Sequence, residues 1–254
     1  MKEVLIQEYN NTTKLNVPFK KENHSFKYHF LNGVFLEILG PESKSYLVKF
    51  FDKQKDELIH ETTINNNMWT KPGIQYFVDW RIEVYDKSNN ELVFEHSYDA
   101  KDKRVYIHLD SSALGDTLAW FPFVDEFRKK HNCKVICSTF HNEWFEKEYP
   151  ELEFVKPGTE VFDLYAMYSI GWHYNEDKTV NLSKIPIEFK QHPLGETSSS
   201  TLGLNYVETK PKVSIPNKGK QIDGKYVVIA PHASAHAKYW NHKGGWQAII
   251  DYLN

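Results

Sequence analysis

The stretch Arg104–Lys130, RVYIHLDSSALGDTLAWFPFVDEFRKK, constrains the fold more than any other. Val105, Ile107 and Leu109 alternate with their neighbours as one face of a strand does, and Asp110, Ser111 and Ser112 break the run. A helix is predicted to open at Gly115 and Asp116. Leu118, Phe121, Val124 and Phe127 then recur at roughly helical spacing, and Arg128, Lys129 and Lys130 crowd the end. A strand feeding a helix through a turn of small residues starts an α/β layer. In open α/β sheets, ligands bind at the carboxyl ends of the strands, where such turns lie. The helix start also offers unpaired backbone N–H groups, which suit an anion. Asp116 is the carboxylate of that turn, and on this stretch alone it reads as a helix cap.

Upstream, residues 1–100 carry short aromatic and β-branched runs and no long helical period. Val34–Leu39, Tyr46–Phe51, Leu58–Thr63, Gln75–Val78, Trp80–Tyr85 and Leu92–Glu95 are separated by turn signals such as Asn32-Gly33 and Lys71-Pro72-Gly73. WRIEVYDKSNNELVFEHSY reads as a hairpin, and the spacing suggests a small antiparallel sandwich. After the charged connector Ala100-Lys101-Asp102-Lys103-Arg104 the chain turns α/β, with further strands expected at Cys133–Ser138, Leu152–Val155 and Phe162–Tyr168. Such alternation argues for a mostly parallel sheet over residues 104–215, a Rossmann-like domain. Thr197–Leu204 reads as a short helix stopped near Gly203, and Lys210–Asp223 as a linker. The pattern then restarts, with a strand expected at Lys225–Ala230 and a helix at Trp246–Leu253. A lone strand and helix cannot bury a core, so residues 224–254 read as the start of a second Rossmann-like domain, cut short.

Net charge −3 and a pI near 6.5 give no electrostatic case for nucleic acid or an anionic membrane. No apolar run is long enough to span a bilayer, and the N-terminus lacks the pattern of a signal peptide, so a cytoplasmic protein is expected. Cys133 and Cys137 read as small core residues; two thiols are too few for a structural zinc site or a disulfide framework.

Two half-motifs stand about a domain apart, SSALGDTLAWFPFVDEF (Ser111–Phe127) and VVIAPHASAHAKYWNHKGGWQAIIDYL (Val227–Leu253). Together they resemble the heptosyltransferases of glycosyltransferase family nine, enzymes of the two-domain GT-B type. Gly115, Asp116 and Pro122 match the first motif of that family, and Pro231, Ala233, Ser234, Lys238 and Trp240 the second. ETTINNNMW, DSSALGDTLAW, DEFRKKHNCKV, LYAMYSIGWHYNED and LGLNYVETKPKV look like its autotransporter heptosyltransferase subfamily, in which a β-rich domain precedes the GT-B part. The resemblance implies transfer of heptose, or a related sugar, from an ADP-activated donor to serine hydroxyls of an autotransporter adhesin. Two rival readings are a lipopolysaccharide-core type of transferase with a glycan acceptor and a GT-B-like protein that only binds. The subfamily also carries a later cysteine cluster that binds iron and supports a ring-like oligomer. This chain ends before any such cluster, which leaves iron and homo-oligomerisation open. With half of the donor pocket absent, residues 1–254 alone are expected to be inactive.

The same resemblance places Asp116 as the base for the acceptor hydroxyl and Lys238 at the donor diphosphate, where a point charge suits the leaving group. Asp110 is the competing carboxylate, read as a turn-former bonded to its own loop. Ser112 and Ser234 are candidates to donate to phosphate or sugar, with ordinary turn residues as the alternative, and Gly115 belongs to the same loop. Trp240 is a candidate to stack on base or sugar; Trp246 reads as core. His232, His236 and His242 are not spaced as a metal site, and GT-B enzymes generally work without a catalytic metal, so no cofactor is expected to be required for catalysis and the ADP-sugar is expected as a substrate.

Overall fold

The computed structural model describes residues 25–41, 43–214, 222–233 and 235–253. The chain divides into two compact units, residues 1–214 and 215–254.

The first unit is built on a seven-stranded mixed sheet. Its strands are β1 (Ser25–Leu31), β2 (Phe35–Leu39), β5 (Met68–Thr70), β8 (Arg104–Leu109), β9 (Lys134–Ser138), β10 (Glu153–Val155) and β11 (Ala166–Ile170), in the order β10-β9-β8-β11-β1-β2-β5. From β10 to β1 every pairing is parallel, whereas β1–β2 and β2–β5 are antiparallel. Parallel strands are covered on both faces, and β8 shows it. Val105, Ile107 and Leu109 join the main core, while Tyr106 packs with Ile136 and Met167 on the reverse face.

A second, four-stranded antiparallel sheet has the order β4-β3-β6-β7, from β3 (Ser45–Asp52), β4 (Glu57–Asn65), β6 (Trp80–Asp86) and β7 (Glu91–Ser97). Its inner side chains alternate with outer ones along β3 and β6 as the pleat requires. The inner face packs on β1, with the Phe26 ring stacked 4.7 Å from Phe94 and edge-on to Tyr46 at 6.4 Å. Over the described residues 25–41 and 43–100 the regular elements are all strands, as expected there, and the β6–β7 hairpin is present. The partners of the strands differ from the expectation. β1, β2 and β5 extend the α/β sheet across the charged connector, because β1 finds its open edge at β11 rather than in the small sheet. Gln75–Val78, expected as a strand, pairs with no neighbouring strand; its backbone bonds Ser183 and Thr201 instead.

The expected single helix after β8 is two, α1 (Leu114–Trp120) and α2 (Pro122–His131). Pro122 has no N–H to continue the first helix and supplies the pre-set φ for the first turn of the next. Asn132, left-handed at φ 48°, ends α2. Phe121, Val124 and Phe127 are buried against the sheet as their spacing predicts. Helix α3 (Leu194–Thr201) begins three residues earlier than expected, after Pro193. His141–Glu148 forms only a short 3-10 turn, Asn142–Trp144. Gly33, at φ 89°, turns β1 into β2, and a β-carbon there would run into the Ile74 carbonyl, so only glycine fits.

In the second unit, helix α4 (Gly245–Leu253) forms as expected. Lys225–Ala230 does not form a strand. Among the described residues it has no partner, and Val227 and Val228 are 64% and 77% exposed. A strand exists only through its ladder, and a single strand–helix unit supplies none.

Burial charges the folded unit a penalty in acid. His29, His96, His108 and His131 are each pushed down to about 4, burial being the largest cause in every case. Between the ordinary value of 6.5 and about 4, the unfolded chain therefore binds more protons than the folded one. Stability is present above pH 6.5 and lost as pH falls through that window. The melting temperature is expected to drop steadily from pH 6.5 to 4.5, and less steeply in a His96→Phe variant. A flat profile would contradict the burial of these rings.

Candidate functional site

Strand order β10-β9-β8-β11 reverses direction of growth between β8 and β11, and the carboxyl ends of such a pair form a crevice where open α/β sheets bind ligands. Two loops meet there. Asp110–Ala113 follows β8 and leads into α1; Gly171–His173 follows β11. Asp116 stands in the first turn of α1, partly buried. Its Oδ2 accepts a hydrogen bond from Ser111 Oγ at 2.6 Å and a second from Trp172 Nε1 at 2.8 Å. Asp116 therefore does not cap the helix, whose N-cap position is Ala113 and carries no side-chain cap.

The loop is tied at three further points. The Ala113 N–H donates to Ser111 Oγ at 3.1 Å, and His141 Nε2 lies 3.0 Å from the Ser112 carbonyl oxygen. The Asp110 N–H donates to the Ile170 carbonyl at 2.7 Å, which locks the ends of β8 and β11 together. Asp110 itself is exposed, and its carboxylate makes no hydrogen bond to its loop among the described residues, so the turn-forming role expected of it falls to Ser111. Gly171 is buried between the strand ends. A β-carbon on it would sit 3.1 Å from Asp110 Cβ and 3.5 Å from the His173 ring. Behind the loop, His173 Nε2 lies 3.3 Å from Ser169 Oγ, and burial, with Lys184 nearby, holds its imidazole below the usual range.

Trp172 is clamped by its neighbours. Its ring packs 5.1 Å from Trp120 and 4.7 Å from Phe189. Ser112 lies in this loop and Gly115 in the first turn of α1, both exposed, with open space around Gly115. Ser112 is engaged through its backbone carbonyl rather than its hydroxyl.

The remaining expected site residues lie in the second unit. Lys238 ends a 3-10 turn, His236–Lys238, and is exposed. Ser234 lies outside the described residues. Trp240, 47% exposed, stands edge-on to Trp246 at 5.1 Å and covers Gly245, which has no room for a β-carbon beneath that ring. It walls a shallow hollow of about 390 Å³ with His242, Lys243, Ala248 and Tyr252.

The two partners of the candidate base, Ser111 and Trp172, and the His141 ring on the Ser112 carbonyl go beyond what the sequence analysis names. Ser111 sits in the motif and could have been found there. Trp172 lies 56 residues from Asp116 and His141 29 residues from Ser112, and only the adjacency of β11, β8 and β9 brings them in. Nor do the described residues fit an iron site. No three His, Cys, Asp or Glu side chains among them converge as a metal would need, and burial pushes the Cys133 thiol up to about 12 and raises that of Cys137 as well.

No family model matches the chain. It is 28% identical over 240 residues to the autotransporter heptosyltransferase Aah of Escherichia coli, covering 93% of this chain and 59% of that protein. It is 24% identical over 241 residues to the inactive autotransporter heptosyltransferase BimC of Burkholderia thailandensis, covering 94% of this chain and 55% of that protein. The crystal structure of TibC, a bacterial iron-containing dodecameric glycosyltransferase from enterotoxigenic E. coli, superposes with a TM-score of 0.77 at 23% identity, over 94% of this chain and 61% of that one. TibC has also been crystallised in complex with ADP-D-beta-D-heptose. The chain spans between 55% and 59% of the length of the curated relatives it matches. It thus has the mixed α/β fold of TibC and, over more than nine-tenths of its length, is similar in sequence to the autotransporter heptosyltransferases.

Proposed function

We propose that the protein is a GT-B glycosyltransferase that moves heptose from an ADP-activated donor to serine hydroxyls of an autotransporter adhesin, a cytoplasmic protein O-glycosylation. Asp116 takes the proton of the acceptor hydroxyl as its oxygen attacks the anomeric carbon. The bond from that carbon to the diphosphate breaks, and Lys238 stabilises the charge on the departing nucleotide. Ser112, Ser234, Gly115 and Trp240 are the residues that hold donor and acceptor. The observation that carries this reading is Asp116 itself, a carboxylate fixed by two side-chain donors at the carboxyl ends of β8 and β11. The names of the relatives supply the sugar and the class of acceptor, and the dodecameric TibC supplies the expectation of a homo-oligomer.

The test is direct. The complete reading frame is incubated with a β-helical adhesin fragment and a panel of ADP-, UDP- and GDP-sugars, and added mass is read by intact mass spectrometry. A heptose-sized increment with the ADP donor alone is the expected result. Similarity to the inactive BimC favours a second reading, a protein that binds adhesin or nucleotide-sugar without transfer. Folded protein that binds the adhesin but adds no mass with any donor would establish that reading instead.

A further inference from the structure

We infer that Ser111 and Trp172 are positioning residues that hold Asp116 by one oxygen and leave the other to take the acceptor proton. This rests on Asp116 being the base. Both donors converge on Oδ2, at 2.6 and 2.8 Å, and among the described residues nothing hydrogen-bonds Oδ1. An ionised carboxylate has about four lone-pair sites, so two donors on one oxygen orient the group without saturating it. The free oxygen stays open to the acceptor hydroxyl, and the bonds to the held oxygen keep the carboxylate from turning away.

The two donors come from opposite strands of the switch point and are themselves fixed. Ser111 Oγ accepts from the Ala113 N–H at 3.1 Å, so its own proton is directed to Asp116. Trp172 is set by rings on two sides, Trp120 and Phe189, and by buried Gly171, which brings the end of β11 hard against Asp110. The indole N–H of a clamped tryptophan is a donor with one direction available to it. A reactive group supported by side chains whose own rotamers are locked by packing keeps its geometry through turnover.

Trp172→Phe keeps an aromatic ring between Trp120 and Phe189, though a smaller one, and removes the N–H. In the complete reading frame it is expected to lower kcat 10- to 100-fold, the usual effect of losing one charge-assisted bond or of misplacing a reacting group, with both KM values within about threefold. Ser111→Ala is expected to behave alike, and Ser111→Thr, which restores the hydroxyl, to recover most of the turnover. A readout independent of activity uses the seven tryptophans of this chain, labelled with nitrogen-15. The Trp172 indole resonance, identified by its loss in Trp172→Phe, is expected to move more than the other six in Asp116→Ala. Full kcat in Trp172→Phe, a raised donor KM at unchanged kcat, or an indole unmoved in Asp116→Ala would each overturn the inference. If Asp116→Asn keeps its turnover, the base assignment fails and takes this inference with it. If Asp116→Asn is inactive while Trp172→Phe turns over fully, only the positioning role fails.

Discussion

The Asp116→Asn variant of the complete reading frame is expected to turn over about 1,000-fold more slowly than the parent, the middle of the range that a positioned general base contributes. Its fold should be almost unchanged, and the hydrogen bonds give the reason. Ser111 and Trp172 both donate to Oδ2. An amide oxygen placed there accepts both bonds, and the amide nitrogen then takes the place of Oδ1. The substitution thus replaces the one atom argued to receive the proton with a group that cannot receive it. A melting temperature within about 2 °C of the parent is expected, since no buried partner loses its bond. Single-turnover mass spectrometry with the ADP donor measures the rate. Activity within tenfold of the parent would remove Asp116 from the chemistry, and Asp110→Asn would then be the next variant to assay, because Asp110 is the exposed carboxylate of the same loop.

Much of this site could be read from the sequence, and what could not has a common cause. Val105, Ile107 and Leu109 announce β8 by alternation, and the small residues after them announce the turn, because both signals are local. Asp116 follows from its place in that turn and from the resemblance. Pro122 is a local signal too, but Leu118, Phe121, Val124 and Phe127 keep one period across two helices, so the pattern conceals the break. Trp172 was hidden for a different reason. Its neighbour in the site is set by β11 lying beside β8, and pairing between strands about sixty residues apart leaves no mark in either strand's composition. For the same reason nothing local shows that β1, inside the stretch expected to form a separate sandwich, pairs with β11. At Lys225–Ala230 the local pattern is that of a strand, and no strand forms, because periodicity records which residues suit a ladder and cannot supply the partner.

Trp120→Ala is expected to produce the largest loss of stability of any change near the site, about 3–5 kcal/mol, or roughly 10 °C in melting temperature for a unit of this size. Trp120 is fully buried at the end of α1. Its Nε1 donates to the Leu194 carbonyl at 2.9 Å, and its own carbonyl accepts from Ser198 Oγ at 3.0 Å, so it joins α1 to α3. Alanine leaves a ring-sized cavity and strips the Leu194 carbonyl of that donor. Trp120→Phe fills most of the space and loses the bond and part of the ring, for which about 1–3 kcal/mol is expected. The cavity also has a consequence at Asp116. Trp172 rests on Trp120, and without that wall its indole N–H is no longer directed at Oδ2. Below its melting temperature, Trp120→Ala should therefore lose turnover as Trp172→Phe does, while Asp116→Asn loses turnover and melts like the parent. Thermal unfolding and kcat measured on the three variants separate a core residue that supports the base from the base itself. A Trp120→Ala protein melting within 3 °C of the parent would show that the α1–α3 junction does not carry the site.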